Sequence, residues 1–263
     1  MSNDRQSSIE GKTTGREPAV TSFARDYASG DTIAMHTHDR DQLVYASSGV
    51  MTVRTGQGTW VTPPHRAVWI PAGIPHAIAM SGQVAMRTLY FRPARIRGLP
   101  RSCCVVGVPN LVKELILHTC AHGADRHVGA LLAHQLRVLP TLALELPMPS
   151  DPRARRLADR LAAAPGAQTA LAPLCRDVGA SRRTIERIFL AETGLSLGRW
   201  RQQLRLMHAV RQLGSGASVT AVAFDAGYST PSAFTVAFHK AFGATPTAYF
   251  ATPDPGTRAP RQV

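Results

Sequence analysis

Hydrophobic and polar positions along the chain keep two different periods. From Phe23 to about Phe91 apolar residues alternate with polar ones, in the short β-rich runs 42–47, 51–55, 58–62, 67–70 and 83–91. Gly and Pro separate these runs, and the segment Thr55-Gly-Gln-Gly58 reads as a hairpin turn. Many short strands with frequent turns predict a small sandwich or barrel. From about Cys103 to Leu146 the period becomes helical. Leu111, Leu115 and His118 share one helix face, while Val128, Leu131, Leu132, Gln135 and Leu139 line a second. Two such helices can pack back on the barrel as core or pair with the same helices of another chain. The run Leu146-Pro-Met-Pro-Ser150 reads as a short stiff linker, because two prolines prevent a continuing helix. Asp151 and Pro152 then start a helix that Gly166 should end.

The stretch from Leu171 to Tyr249 says the same thing twice. Asp177, Gly179 and Ser181 lead to Phe189 and Gly194; Asp225, Gly227 and Ser229 lead to Phe238 and Gly243. A repeat of nearly fifty residues marks a duplicated supersecondary unit. In the first copy Leu171, Leu174 and Val178 form one face, Gly179 stops the helix, and Ser181 caps the next. That second helix buries Ile185, Ile188 and Phe189 and turns Arg182, Arg183, Glu186 and Arg187 outward. In the second copy Val219, Val222 and Ala223 precede Gly227; Thr230 caps, Pro231 opens the helix, and Phe234, Phe238 and Phe242 are its apolar side. Helix, tight Gly turn and helix make a helix-turn-helix, whose second helix can enter a DNA major groove. A long helix from Ser196 as cap to Leu213 joins the copies. Two readers held that rigidly on one face of a duplex would meet successive grooves about 34 Å apart.

These residues resemble the DNA-binding domain of the AraC/XylS family of bacterial transcription regulators, over roughly residues 152–250, with the AGYS and FGATP segments as its marks. The resemblance implies that Arg183, Glu186 and Arg187 face DNA from the first reading helix and Ser232, Ala233, Thr235 and Val236 from the second. Arg182, on the same outward face, and the cap Thr230 are counted as DNA-binding candidates with them. Val236 stands where some members carry Arg, so the second copy is expected to read by methyl contacts and phosphate positioning more than by hydrogen bonds.

Charge agrees with this. The chain has a formal net charge of +13. Residues 151–263 carry 15 basic and 7 acidic side chains, against 15 and 10 in residues 1–150, so the DNA-facing part is the more basic per residue. An Arg-rich composition habit of the source genome is the alternative cause. A nonspecific architectural DNA binder would gain nothing from Glu186, which repels phosphate, unless that carboxylate merely pairs with Arg182 or Arg183. No apolar run is long enough to span a membrane, and the N-terminus has no apolar core of a signal peptide. Cys103, Cys104, Cys120 and Cys175 lack metal-finger spacing and read as reduced thiols, with redox sensing by the adjacent pair as the alternative. The expected location is the cytoplasm.

Two further signatures lie in the strand-rich part. Gly30-x5-His36-x-His38-x3-Gln42-x6-Gly49 and Pro71-x-Gly73-x2-His76 resemble the two motifs of the cupin superfamily, small β-barrels that often hold a metal. His36 and His38, two apart on a strand, point to one face. The resemblance places them and His76 in the barrel interior. Gln42 stands where enzymatic cupins supply a carboxylate; His65 replaces a motif Gly and Met80 a motif Asn. His36, His38 and His76 could bind a divalent metal; with Gln42 they could instead contact a small-molecule effector, or all could be core side chains bonded to backbone. Trp60, Trp69, Tyr45 and Met80 read as packing more than as ligand wall. No cofactor is assigned beyond that metal.

The expected fold class is α+β in two domains, a cupin-like β-barrel followed by an all-α domain with two helix-turn-helix units. The expected division is a disordered tail at 1–19, the sensor barrel at 20–100, a helical dimerisation or packing segment at 101–146, a linker at 147–151, the DNA-binding domain at 152–250 and a flexible tail at 251–263. Such a chain would be a ligand-responsive, sequence-specific regulator and not an enzyme. Its partners would be double-stranded promoter DNA, a small-molecule effector, a second copy of itself and RNA polymerase, with no membrane. A metal-dependent cupin enzyme would use the same histidines, but would not need a hundred residues of DNA-binding architecture.

Overall fold

The computed structural model describes residues 18–250, except 94, 95, 97, 140, 143, 144 and 168. The expected tails fall almost wholly outside the described residues. The first half is strand-rich: β1 (Val20–Tyr27), β2 (Thr32–His36), β3 (Asp41–Thr55), β4 (Gly58–Thr62), β5 (Arg66–Ile70), β6 (His76–Phe91) and β7 (Cys104–Gly107). Two helices follow, α1 (Asn110–His122) and α2 (Arg126–Val138), then the short strands β8 (Thr141–Leu142) and β9 (Glu145–Pro147). The rest is helical: α3 (Pro152–Ala163), α4 (Leu171–Asp177), α5 (Arg182–Thr193), α6 (Leu197–Gly214), α7 (Val219–Asp225), α8 (Pro231–Phe242) and α9 (Pro246–Phe250).

All strand pairs are antiparallel and run in the order β1-β6-β3-β5-β7-β8. The expected small barrel is a curled antiparallel sheet that does not close, since β1 and β8 do not pair among the described residues. The reason lies in two strands longer than the turn pattern suggested. The runs expected at 42–47 and 51–55 are one strand, β3, whose register against β6 shifts twice, between Ala46 and Ser48 and again between Ser48 and Val50. Gly49 makes that bend possible, since its φ of 76° is open to glycine and a side chain there would strike the Gln83 carbonyl. Beyond the bend β3 leaves β5 and pairs β4, so one strand serves both halves of the curl.

Alternation along β3 gives the sheet two buried faces. Val44, Ala46, Met51 and Val53 point inward with Trp60, Val68, Ile78, Met80 and Met86. Leu43 and Tyr45 point outward with Trp69, Leu89 and Phe91, under Val112 and Ile116 of α1 and Leu132 and Leu136 of α2. Tyr45, Trp60, Trp69 and Met80 are therefore core packing. The expected helix faces are corrected by about one position. The buried stripe of α1 is Val112, Ile116 and Thr119, leaving Leu111 exposed, and α2 buries Leu132 and Leu136 but leaves Leu131 exposed. Residues 104–107, read as helical, form β7 because they pair with β5.

The linker is not a free spacer. Glu145 to Pro147 pair with β4, and the Pro147 carbonyl accepts from the Trp200 indole N–H at 2.7 Å. Gln203 donates to the Glu145 carbonyl. Glu192 of α5 accepts from the Ser150 and Asp151 backbone N–H groups and from the Ser150 hydroxyl. The helical core, built around Trp200, Phe189, Phe234 and Phe238, continues into the sheet through Val50, Val61 and Leu146.

Candidate functional site

Three histidines meet at one end of the sheet interior. β2 ends at His36, which pairs with His76 at the start of β6, and His38 follows two residues on. Their ring centroids lie 4.3 Å apart for His36 and His76, 4.9 Å for His38 and His76, and 5.4 Å for His36 and His38. One ring nitrogen of each lies within 4.8 Å of the others.

Backbone carbonyls settle which nitrogen faces inward. Nδ1 of His36 lies 2.8 Å from the Ala34 carbonyl, Nδ1 of His76 2.9 Å from that of Ile74, and Nδ1 of His38 3.2 Å from that of Arg40. A carbonyl only accepts, so each Nδ1 carries a proton, and a ring with that proton alone keeps a lone pair on Nε2. All three Nε2 atoms are buried without a hydrogen-bond partner. Burial pushes the His76 imidazole down to about 4, and burial likewise lowers that of His38.

Gln42 adds a fourth lone pair. Its side chain, fully buried, donates from Nε2 to the Thr88 hydroxyl at 3.2 Å and to the Tyr90 hydroxyl at 3.3 Å. Thr88 gives its own proton to the Leu43 carbonyl, so it can only accept from Gln42. That fixes the amide orientation and leaves Oε1 buried and unpartnered. Tyr90 also stands edge-on to His38, with centroids 5.2 Å apart. Thr88 and Tyr90 are absent from the sequence reading; the signal was there, since Tyr90 of β6 pairs with Gln42 and Thr88 shares its parity.

Chemically, four neutral donors of imidazole nitrogen and amide oxygen suit a divalent transition metal such as Zn, and they suit an organic group offering N–H or O–H protons equally. His65, at a departed motif position, lies outside the cluster.

The other set of residues lies on the helical half. Ser181 caps α5 by accepting from the Thr184 N–H at 3.1 Å, and Gly194 closes it in the left-handed conformation. Arg182, Arg183, Glu186 and Arg187 are all exposed. Arg182 donates from Nε to Glu186 at 2.8 Å, so the bland reading of that carboxylate is realised in the free protein. Arg183 and Arg187 form no ion pair among the described residues. Beside them opens a cleft of ≈ 690 Å³ bordered by Leu190, Ser196 and Gly198. On α8, Thr230 caps by accepting from the Ala233 N–H, and Gly243 ends the helix. Ser232, Ala233 and Val236 are exposed, Val236 to 70 %. Thr235 is half-buried and spends its hydroxyl on the Pro231 carbonyl. His239 and Lys240, one turn further on, are exposed nitrogen-bearing side chains that sequence reading does not single out.

Comparison with known proteins agrees with both halves. Residues 18–141 match an AraC-like ligand binding domain and residues 174–252 a helix-turn-helix domain. The HTH-type transcriptional regulator NimR of Escherichia coli is 33 % identical over 227 residues, 84 % of this chain and 83 % of NimR. The chain belongs to the AraC family of transcription regulators. The HTH-type transcriptional regulator RipA of Corynebacterium glutamicum is 36 % identical over 103 residues, 39 % of this chain and 31 % of RipA. The solved structure of ToxT from Vibrio cholerae with bound unsaturated fatty acid spans 90 % of this chain and 97 % of its own, at 9 % identity and a TM-score of 0.39, too distant to argue from. As an AraC-family regulator the chain thus joins a ligand-binding sensor to a DNA-binding pair of helix-turn-helix units. Among the described residues no helix is long and apolar enough to cross a membrane.

Proposed function

We propose that this AraC-family chain reads DNA with α5 and α8, and that an effector held by His36, His38, Gln42 and His76 changes how those helices are presented. The observation that carries the effector site is the gathering of four buried lone pairs with no partner. Each unsatisfied buried polar atom costs about 1–3 kcal/mol, so four gathered in one place favour an occupant that satisfies them.

A divalent metal fits that donor set, as the cupin resemblance implies. The three Nε2 atoms and the Gln42 amide oxygen would hold it, and the ion would supply a Lewis-acidic centre. Because all four donors are neutral, the ion's charge is not cancelled, which favours an anionic effector. Family membership and the DNA-binding half support a regulatory role and not a catalytic one.

On α5, Arg183 and Arg187 are unpaired and suit guanine edges, while Glu186 must leave Arg182 before it can accept from cytosine. On α8, Ala233 and Val236 suit thymine methyl groups, Ser232 and the cap Thr230 suit phosphate or base edges, and Thr235, turned to its own helix, contributes least. Leu111, Leu131 and Val138 stay exposed on α1 and α2. They supply an apolar patch for a second copy, and RNA polymerase would be the further partner of such a regulator in the cytoplasm.

Footprinting on the DNA flanking the chain's own gene, with excess competitor, tests the reading. Protection of two grooves one helical turn apart on one face is expected. A second arm measures zinc content after purification and repeats the footprint after chelation. Coverage without a boundary at any metal content would reject sequence-specific reading. A wild-type protein that binds zinc no better than its His76→Ala variant would reject the metal.

A further inference from the structure

An open cleft forms a cavity between the sensor sheet and the helical half, lined by none of the three histidines. Its volume is ≈ 450 Å³, and Ser81 of β6 faces Pro165, His208, Arg211, Gln212 and Ser215 across it. Backbones meet at its rim: a side chain at Gly82 would strike the Gly214 carbonyl, and one at Gly214 would overlap Val50.

Two polar atoms at this cavity are buried and unsatisfied, the Nε of Arg211 and the Oε1 of Gln212. Among the described residues the guanidinium of Arg211 has one hydrogen-bond partner, His208, through Nη2 at 3.3 Å from Nδ1. That imidazole gives its own proton to Asp225, at 2.9 Å, and Gln212 donates to the same carboxylate at 2.7 Å. The one acid in the group is therefore already engaged and leaves the guanidinium uncompensated. Burial, and then the charge of Arg54 on β3, lower the Arg211 pKa, as expected for a cation lacking an anion.

We propose that this cavity binds a small oxyanion carrying a hydroxyl group, the anion meeting Arg211 and the hydroxyl donating to Gln212. The donor and acceptor left open are the pair such a molecule would satisfy together. Its place gives it a consequence. Arg211 lies on α6, the helix that joins the two helix-turn-helix units, and His208 links it to Asp225 at the end of α7. A ligand spanning Ser81 and Arg211 would tie sensor to reader directly, independently of the histidine cluster.

The test uses the full chain at fixed ionic strength, with gluconate and inorganic phosphate as probes, sorbitol as the neutral control and chloride as the salt control. Calorimetry and thermal melting are read together. Saturable binding of gluconate, phosphate or both is expected, weakened about tenfold or more in Arg211→Gln. Ser81→Phe fills the cavity from the sensor side without touching Arg211 and should weaken it similarly. Urea midpoints establish that both variants fold. Preference for gluconate would assign a hydroxy-carboxylate and preference for phosphate a phosphorylated ligand. The proposal fails if sorbitol matches gluconate, if neither anion binds at millimolar concentration, or if folded variants bind as the wild type does.

Discussion

At the scale of single residues, His76 shows how a pocket can be costly when empty. Its imidazole, fully buried, takes a proton only near pH 4, whereas in the unfolded chain it would do so near 6.5. Between those values the unfolded state holds a proton that the folded state refuses, so stability falls as pH drops through that window and is retained above it. The full effect is about 3 kcal/mol, and the lowered His38 adds in the same direction. Urea midpoints of metal-free protein at pH 7 and pH 5 should differ accordingly, and His76→Gln should flatten the slope; equal slopes would mean that water reaches the ring freely. Arg187→Ala should cost about 1–3 kcal/mol of discrimination at one base pair. Competition binding on single-base variants of the operator measures it, and equal losses on specific and random DNA would make Arg187 a phosphate contact. Burial pushes the Cys103 and Cys104 thiols up to about 11, which counters the redox-sensor alternative. Native protein should react with a thiol reagent at neutral pH far more slowly than unfolded protein.

At the scale of elements, helix ends were the most legible feature of the sequence. Ser181, Ser196 and Thr230 were read as caps and each accepts from a backbone N–H three residues on. Capping is local chemistry, decided within one turn, which is why it can be read without a fold. Thr230→Ala should lower stability by about 1 kcal/mol, visible as a lower melting temperature, while Thr230→Ser should restore most of it. Helix faces were less legible. The stripe of α1 was misplaced because Leu111 and Leu115 are as apolar as Val112 and Ile116, and only the sheet beneath selects between the two rows. The linker was read from its prolines as a spacer, yet Pro147 acts through its carbonyl, which proline retains. The two expected strands of β3 were split by Ser48-Gly49, which bends the strand without ending it.

At the scale of the whole molecule, the sensor sheet and the reading helices share one core through Val50, Val61 and Leu146. Gly214→Ala should wedge that junction, since the added methyl overlaps Val50. The expected result is a weaker, effector-insensitive footprint of the full chain; an effector response equal to wild type would place the coupling elsewhere. By itself the sequence determined the duplicated helix-turn-helix, the helix that joins the copies, the exposed row from Arg182 to Arg187, and the histidines of the sensor. All of these depend on spacing within one element or on a repeated motif, and local periodicity carries such information. Tertiary structure alone decided that the sheet stays open, that four lone pairs converge without partners, and that Arg211 faces the sensor without an anion. Each of those facts depends on which distant segments meet, and proximity between residues dozens of positions apart leaves no period in a single sequence.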